Sequence, residues 1–311
     1  MTTDGPPSPD SAPEAEPRLG IAASPQRVSG MRVPDGWTLP GKPSGLDEEA
    51  EDAWRQTGFA DGPAWALLEQ SLDTQARIAA SGYTPSARNM TMAGFASLWS
   101  RALQSSSDAA GLVRRGAYQS AVPLIRQAIE LVAAQAGLAG GELDEWRRWT
   151  HEAFGHDAAS RATEIGVGHY FSGESIAADE HLRVIYRAAS DFGRPNFGPT
   201  SLFVANEATH DRYPLHFGDH AFHLGWTQLL TGWLLRTSNS QLHVALHLQQ
   251  YFPAAEPLRE RAIELVRSVE RLLDDDRRCR VEEIEDAQLR RRHLLVAFRR
   301  RDGDASQRLL L

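Results

Sequence analysis

Cysteine and lysine are almost missing from this chain: in 311 residues there is one of each, Cys279 and Lys42. A single cysteine excludes an internal disulfide framework and any multi-cysteine zinc knuckle. Every other basic residue is arginine, and Lys42 lies in GKPSG, outside any core-forming pattern. A Schiff-base enzyme and a Walker-type P-loop, which both hold a lysine within the fold, are therefore excluded. Long apolar runs are missing as well. None approaches the roughly 18 residues that span a bilayer, and no charged and apolar leader follows Met1. The expectation is a cytoplasmic protein with no membrane partner. Alternating β-branched and aromatic runs, the mark of strands, are almost absent. So are G-x-S-x-G, H-E-x-x-H and a complete G-x-G-x-x-G after a strand. The net charge of -8 argues against a surface that binds nucleic acid throughout, leaving only local basic patches.

What remains is helical patterning behind a polar segment. Residues 1–45, rich in Pro, Gly, Ser and Asp, have too few periodic apolar residues to offset the entropy of ordering. They read as a disordered tail. Apolar spacing then predicts helices over 62–81, 87–115, 117–138, 142–154, 175–190, 219–236, 240–251, 255–275 and 278–300. A long loop with one short helix is expected over 191–218, where Gly193, Pro195, Gly198, Pro199 and Pro214 punctuate the chain. The fold class is all-α, an up-and-down bundle. Residues 46–253 form its body, charged helices over 254–301 pack on it or in a dimer, and 302–311 form a flexible tail.

The segment 117–138 is apolar around most of its circumference, as a central helix is. Within it Arg126 and Glu130 are four residues apart and share a face. Flanking Val122, Ala133 and Ala134 imply a partly buried ion pair, since either charge alone would be costly there.

From this helix onward the chain resembles bacterial all-helical proteins related to the HEPN domain. GLVRRGAYQSAVPLIRQAIE is similar to their helix in which apolar residues, an arginine and then a glutamate follow a glycine-containing turn. VIYRAASDFGRPNFGPTSL (184–202) resembles their Tyr…Ser…His-Pro segment, with Arg194 standing where histidine is expected before Pro195. The resemblance covers roughly residues 95–250. It implies a helical protein of unassigned activity that acts through helix-mediated association, in a defence or stress setting. Active HEPN proteins are metal-independent ribonucleases that use an arginine and a histidine with four to six residues between them, at a dimer interface. The matching positions here are Arg236 and His243, in RTSNSQLH, with Thr237 where Asn, Asp or His is usual. An arginine can hold a phosphate in a bidentate fork, and a histidine can move the proton of a 2′-hydroxyl. The resemblance thus implies RNA and a second copy of the chain as alternative partners, and no cofactor.

Of the 11 histidines, six fall between His210 and His247. His216, His220 and His223 would share a helical face within about 60°. However, Pro214, Gly218 and Asp219 place the helix start near His220, with His216 before it. His216 and His223 would in any case lie about 10 Å apart along the axis, too far for one ion. A smaller metal site is still expected as an alternative, with Glu207 and His210 as an E-x-x-H pair joined by His216 and His220. Against it, His223 lies beside the apolar stripe of Phe222, Trp226, Leu229 and Trp233, where an imidazole serves as packing. Two charged features are read as structural. RRRHLLVAFRRR (290–301) is expected to be a helix on the bundle or in a dimer, and Cys279 an exposed thiol on a charged helix.

Overall fold

In the first helix, α1 (Glu48–Ala60), Asp47 accepts from the Ala50 N–H at 2.8 Å, and Glu48, Glu49 and Glu51 meet the positive end of the helix dipole. The computed structural model describes residues 32–82, 90–140, 176, 178–195, 197–205, 211–286, 291–299, 301–304 and 307–310. α2 (Gly62–Ser81) follows at once, with a proline in its first turn where the missing N–H costs nothing. α3 (Met90–Arg114) and α4 (Tyr118–Gly140) form a hairpin, turned at Gly116. That residue has φ +76°, and a Cβ there would lie 2.0 Å from the His220 carbonyl oxygen, so only glycine fits. α5 (Glu180–Phe192) is capped by Asp179, which accepts from the Leu182 N–H at 3.0 Å. α6 (Phe197–Val204), α7 (Leu224–His247) and α8 (Glu256–Leu273) complete the helical body.

Side-chain pairs give the helix directions. Tyr118–Thr227 and Gln135–Gln241 occur in the same order along α4 and α7, so these two run parallel. α2 is parallel to them as well, since Gln75 meets Ser238 beyond the level at which Asp61 meets Thr231. α5 runs the other way, with Asp179 against Ser240 and Phe192 against Trp226. α8 also opposes α7, with Asn239 near Val266 and Gly232 near Leu273. The body is therefore all-α, as the patterning predicts, with α2, α4 and α7 parallel to one another and α5 and α8 packed against α7 in the opposite direction.

α4 lies in the core, with Ala121, Ile125, Ala128 and Ile129 fully enclosed. α7 is enclosed still further: of its residues only His243 and His247 are exposed. Several of its buried polar groups are bonded across to neighbouring helices, which offsets the cost of burying them. Gln75 donates to Ser238 Oγ at 2.7 Å while accepting from Trp99 Nε1 at 3.2 Å, and Gln135 and Gln241 exchange bonds at 3.0 and 3.1 Å. Here the structure corrects one expectation. No turn separates helices at Ser238–Ser240; these residues continue one helix, because Ser238 and Asn239 find buried partners in Gln75 and the Val266 carbonyl.

The C-terminal segment gives a second correction. Instead of a helix over 278–300, β1 (Arg280–Asp286) and β2 (Arg291–Phe298) pair antiparallel, and β3 (Gln307–Leu310) adds to β2 where a flexible tail was expected. The apolar residues of 290–301 spread around a helix without forming a stripe, and pairing along a sheet needs no such stripe. Contacts just before β1 and at the end of β2 help to fasten the sheet to the helices. Phe298 stacks on His223 with ring centres 4.6 Å apart, and meets Trp226 edge-on at 5.1 Å. Gly225 allows this approach, since a Cβ there would lie 2.7 Å from the Phe298 ring. Arg278 and Asp61 form a buried two-bond ion pair at 2.6 and 3.1 Å, and the Cys279 N–H donates to Gln228 Oε1 at 3.1 Å.

Residues 37–42, expected within the disordered tail, are packed on the helical body. Leu39 is buried, the Trp37 N–H donates to Asp73 at 3.0 Å, and Lys42 pairs with Glu51. These aromatic and apolar residues, sparse as they are, dock on α2 and α3. The helix expected over 142–154 lies outside the described residues. Among those described, no helix is long and apolar enough to cross a membrane.

Candidate functional site

One stripe of α7 reaches the surface: Gly232, Arg236, Ser240, His243 and His247, at helical spacing. It runs between α5 and α8. Arg236 is half-buried in it, and burial is the largest influence on its guanidinium, lowering its pKa. Asp274, Glu270 and Asp179 act in the opposite direction through space. Yet Arg236 makes no hydrogen bond or ion pair among the described residues.

Arg236 opens into a cavity of about 350 Å³, a size suited to a small ligand or a short peptide segment. Val184 and Ile185 of α5, Leu229 and Trp233 of α7, and Leu273 of α8 form its apolar wall. The remaining wall is Arg278 to Glu283, which lead into and run along β1. Most charges here are already neutralised. Arg278 is bound by Asp61, Glu282 is bound by Arg280, and Glu283 is held by Arg183 at 2.9 Å and by Arg187. Glu180 and His181 are exposed at the rim. Arg236 is the half-buried cation of this cavity that the described residues leave unpaired. Its nearby carboxylates act only through space, so the N–H groups of this half-buried guanidinium are left for an acceptor that can bond to them directly.

Cys279 also lines the cavity, but not as an exposed thiol on a helix. It is 5% exposed, and burial pushes its pKa up despite the nearby arginines. Those arginines are engaged elsewhere and do not activate it.

The structure treats the other expected site residues differently. Arg236 and His243 belong to one continuous helix, on the same stripe, separated by two turns or about 10.5 Å of axial rise. His243 does not line the cavity. Arg126 and Glu130 do pair, at 3.4 Å, but with side chains 41% and 39% exposed. Tyr186 bridges them: Arg126 donates to its hydroxyl at 3.1 Å, and the hydroxyl donates to Glu130 at 3.0 Å. The bond to Tyr186 is also the main cause raising the Arg126 pKa. This cluster joins α4 to α5 and faces no cavity described here.

For the metal reading, Glu207 and His210 lie outside the described residues. His216 is exposed, and His220 faces Asp47 at 3.3 Å. Among the described residues no group of three or more His, Cys, Asp or Glu side chains is placed to hold a metal ion. His223 caps α7, its Nδ1 accepting from the Trp226 N–H at 3.4 Å, while Asp219 accepts from Ala221 one turn earlier.

Sequence reasoning identified Arg236 through a motif, not through its cavity. The cavity walls come from α5, α7, α8 and β1, which are distant in sequence, and the spacing in β1 predicts a helix where a strand forms. No family model, no curated protein and no solved structure matches this chain.

Proposed function

We propose that this chain is a helical binding module of the HEPN-like kind that acts by association, holding a carboxylate-bearing partner in the α5–α7–β1 cavity through Arg236. The observation that carries this reading is a half-buried guanidinium with no bonded partner among the described residues, set beside an apolar wall. A planar carboxylate can take two parallel N–H bonds from that fork, and its apolar portion can lie on Leu229 and Trp233.

Sodium benzoate is a suitable probe, combining both features. At constant ionic strength it is expected to raise the melting temperature of the wild-type chain saturably. The gain is about 1.4 kcal/mol at ten times its Kd. Arg236→Gln is expected to abolish the gain. An equal rise in both proteins would end the reading.

A second reading is a metal-independent ribonuclease using Arg236 and His243, in a two-fold assembly of copies. It is favoured by one observation, that both side chains belong to the solvent-reaching stripe of α7. Incubation with total cellular RNA tests it: cleavage by wild type that His243→Ala and Arg236→Ala both abolish supports it, and equal RNA integrity in all three discards it.

A further inference from the structure

The sheet order β1-β2-β3 leaves β1 with a strand neighbour on one side among the described residues. Successive residues of a strand point to opposite faces. Val281 is packed against the helical core and Glu283 is held by α5, so these two face the helices. Arg280 and Glu282 pair with one another on the other face. All four nevertheless line the cavity. A cavity that touches both faces of a strand in succession runs along its edge. Since β2 occupies one edge, this is the other, where main-chain N–H and C=O groups can pair with an added strand. Opposite that edge are α5 and α7, which supply an apolar wall. Arg236 is the last residue of α7 to line the space, so it marks one end of the groove.

We infer that this groove receives the C-terminal end of an extended peptide from a partner protein, its main chain pairing with the open edge of β1 and its terminal carboxylate held by Arg236. This rests on the carboxylate-anchoring reading above and adds to it the shape and main-chain chemistry of the ligand. Strand addition supplies affinity through backbone bonds, and alternate side chains entering the groove supply selectivity. A chain that ends at Arg236 needs no room beyond it, and its carboxylate supplies the directly bonded acceptor that no described residue gives this half-buried guanidinium.

The test uses the full-length chain and a random octapeptide library with free C-termini. Retained peptides are read by mass spectrometry, and binding of the best is followed by fluorescence anisotropy. Amidating its C-terminus is expected to weaken binding about tenfold or more, as are Arg236→Gln and Arg236→Lys. Lysine keeps the charge and loses the fork, so this variant remains informative if the glutamine variant proves unstable. Methylating backbone nitrogens one at a time should weaken binding at every second residue, the signature of an added strand. Retention of no peptide, indifference to amidation, or methylation effects without this alternation would each overturn the inference. If benzoate still stabilises wild type and not Arg236→Gln, only the peptide inference falls. If benzoate also fails, the anchoring reading falls with it.

Discussion

Two buried residues show how single side chains set the energetics of this fold. Tyr118 donates or accepts at Thr227 Oγ1 (3.1 Å) and accepts from the His223 N–H (3.0 Å), and burial pushes its pKa up to about 12. The folded chain therefore keeps this proton after the unfolded chain has released it. Stability from the neutral phenol is complete below the ordinary value of 10.0 and is lost as pH rises through about 12. The loss approaches about 2 to 3 kcal/mol, at roughly 1.4 kcal/mol per pH unit. Urea unfolding of Tyr118→Phe should show a shallower alkaline decline than wild type; parallel curves would contradict this. The Asp61–Arg278 pair is the second case. Burial raises the Asp61 pKa and outweighs the lowering effect of Arg278 and Thr231. Asp61→Ala leaves a buried guanidinium alone and should cost about 3 to 5 kcal/mol, whereas Asp61→Leu with Arg278→Met should restore most of that. A double variant as unstable as the single one would show that the pair does more than balance its own charges.

The elements differ in how far the sequence announced them. Boundaries of α2, α3, α4 and α8 follow the apolar spacing closely, because their buried residues recur at helical spacing and each ends at a glycine, a polar cap or a charged turn. α7 was hidden by its own polarity. Thr237, Ser238 and Asn239 favour turns locally, and only partners on α2 and α8 make them helical. The sheet was hidden by charge, since one arginine and four acidic residues make up most of β1, and the sheet's anchor, Phe298 of β2, acts on a helix far away in sequence. That anchor is testable. Gly225→Val would place methyl groups where the Phe298 ring and the Arg299 carbonyl now sit, 2.7 and 2.8 Å from a Cβ. Overpacking of this kind costs about 1 to 3 kcal/mol. It should loosen the sheet and speed thiol labelling of buried Cys279 by about tenfold or more, with helical circular dichroism retained. Unchanged labelling would mean that the sheet is not held by this contact.

Over the whole molecule, the enclosed helix α7 joins core and candidate site. Its buried sides fix its direction against α2, α4, α5 and α8, and its remaining stripe carries Arg236 into a cavity closed by the terminal sheet. Arg236 was legible from the sequence as half of a motif with His243. Its environment was not, because that depends on β1 crossing the helices. The most direct test is nuclear magnetic resonance of the arginine Nε–H groups during a benzoate titration, with the Arg236 signal assigned by its loss in Arg236→Lys. The account expects that signal to shift saturably while those of Arg126 and Arg278 stay in place. A titration in which the Arg236 signal remains still would contradict it.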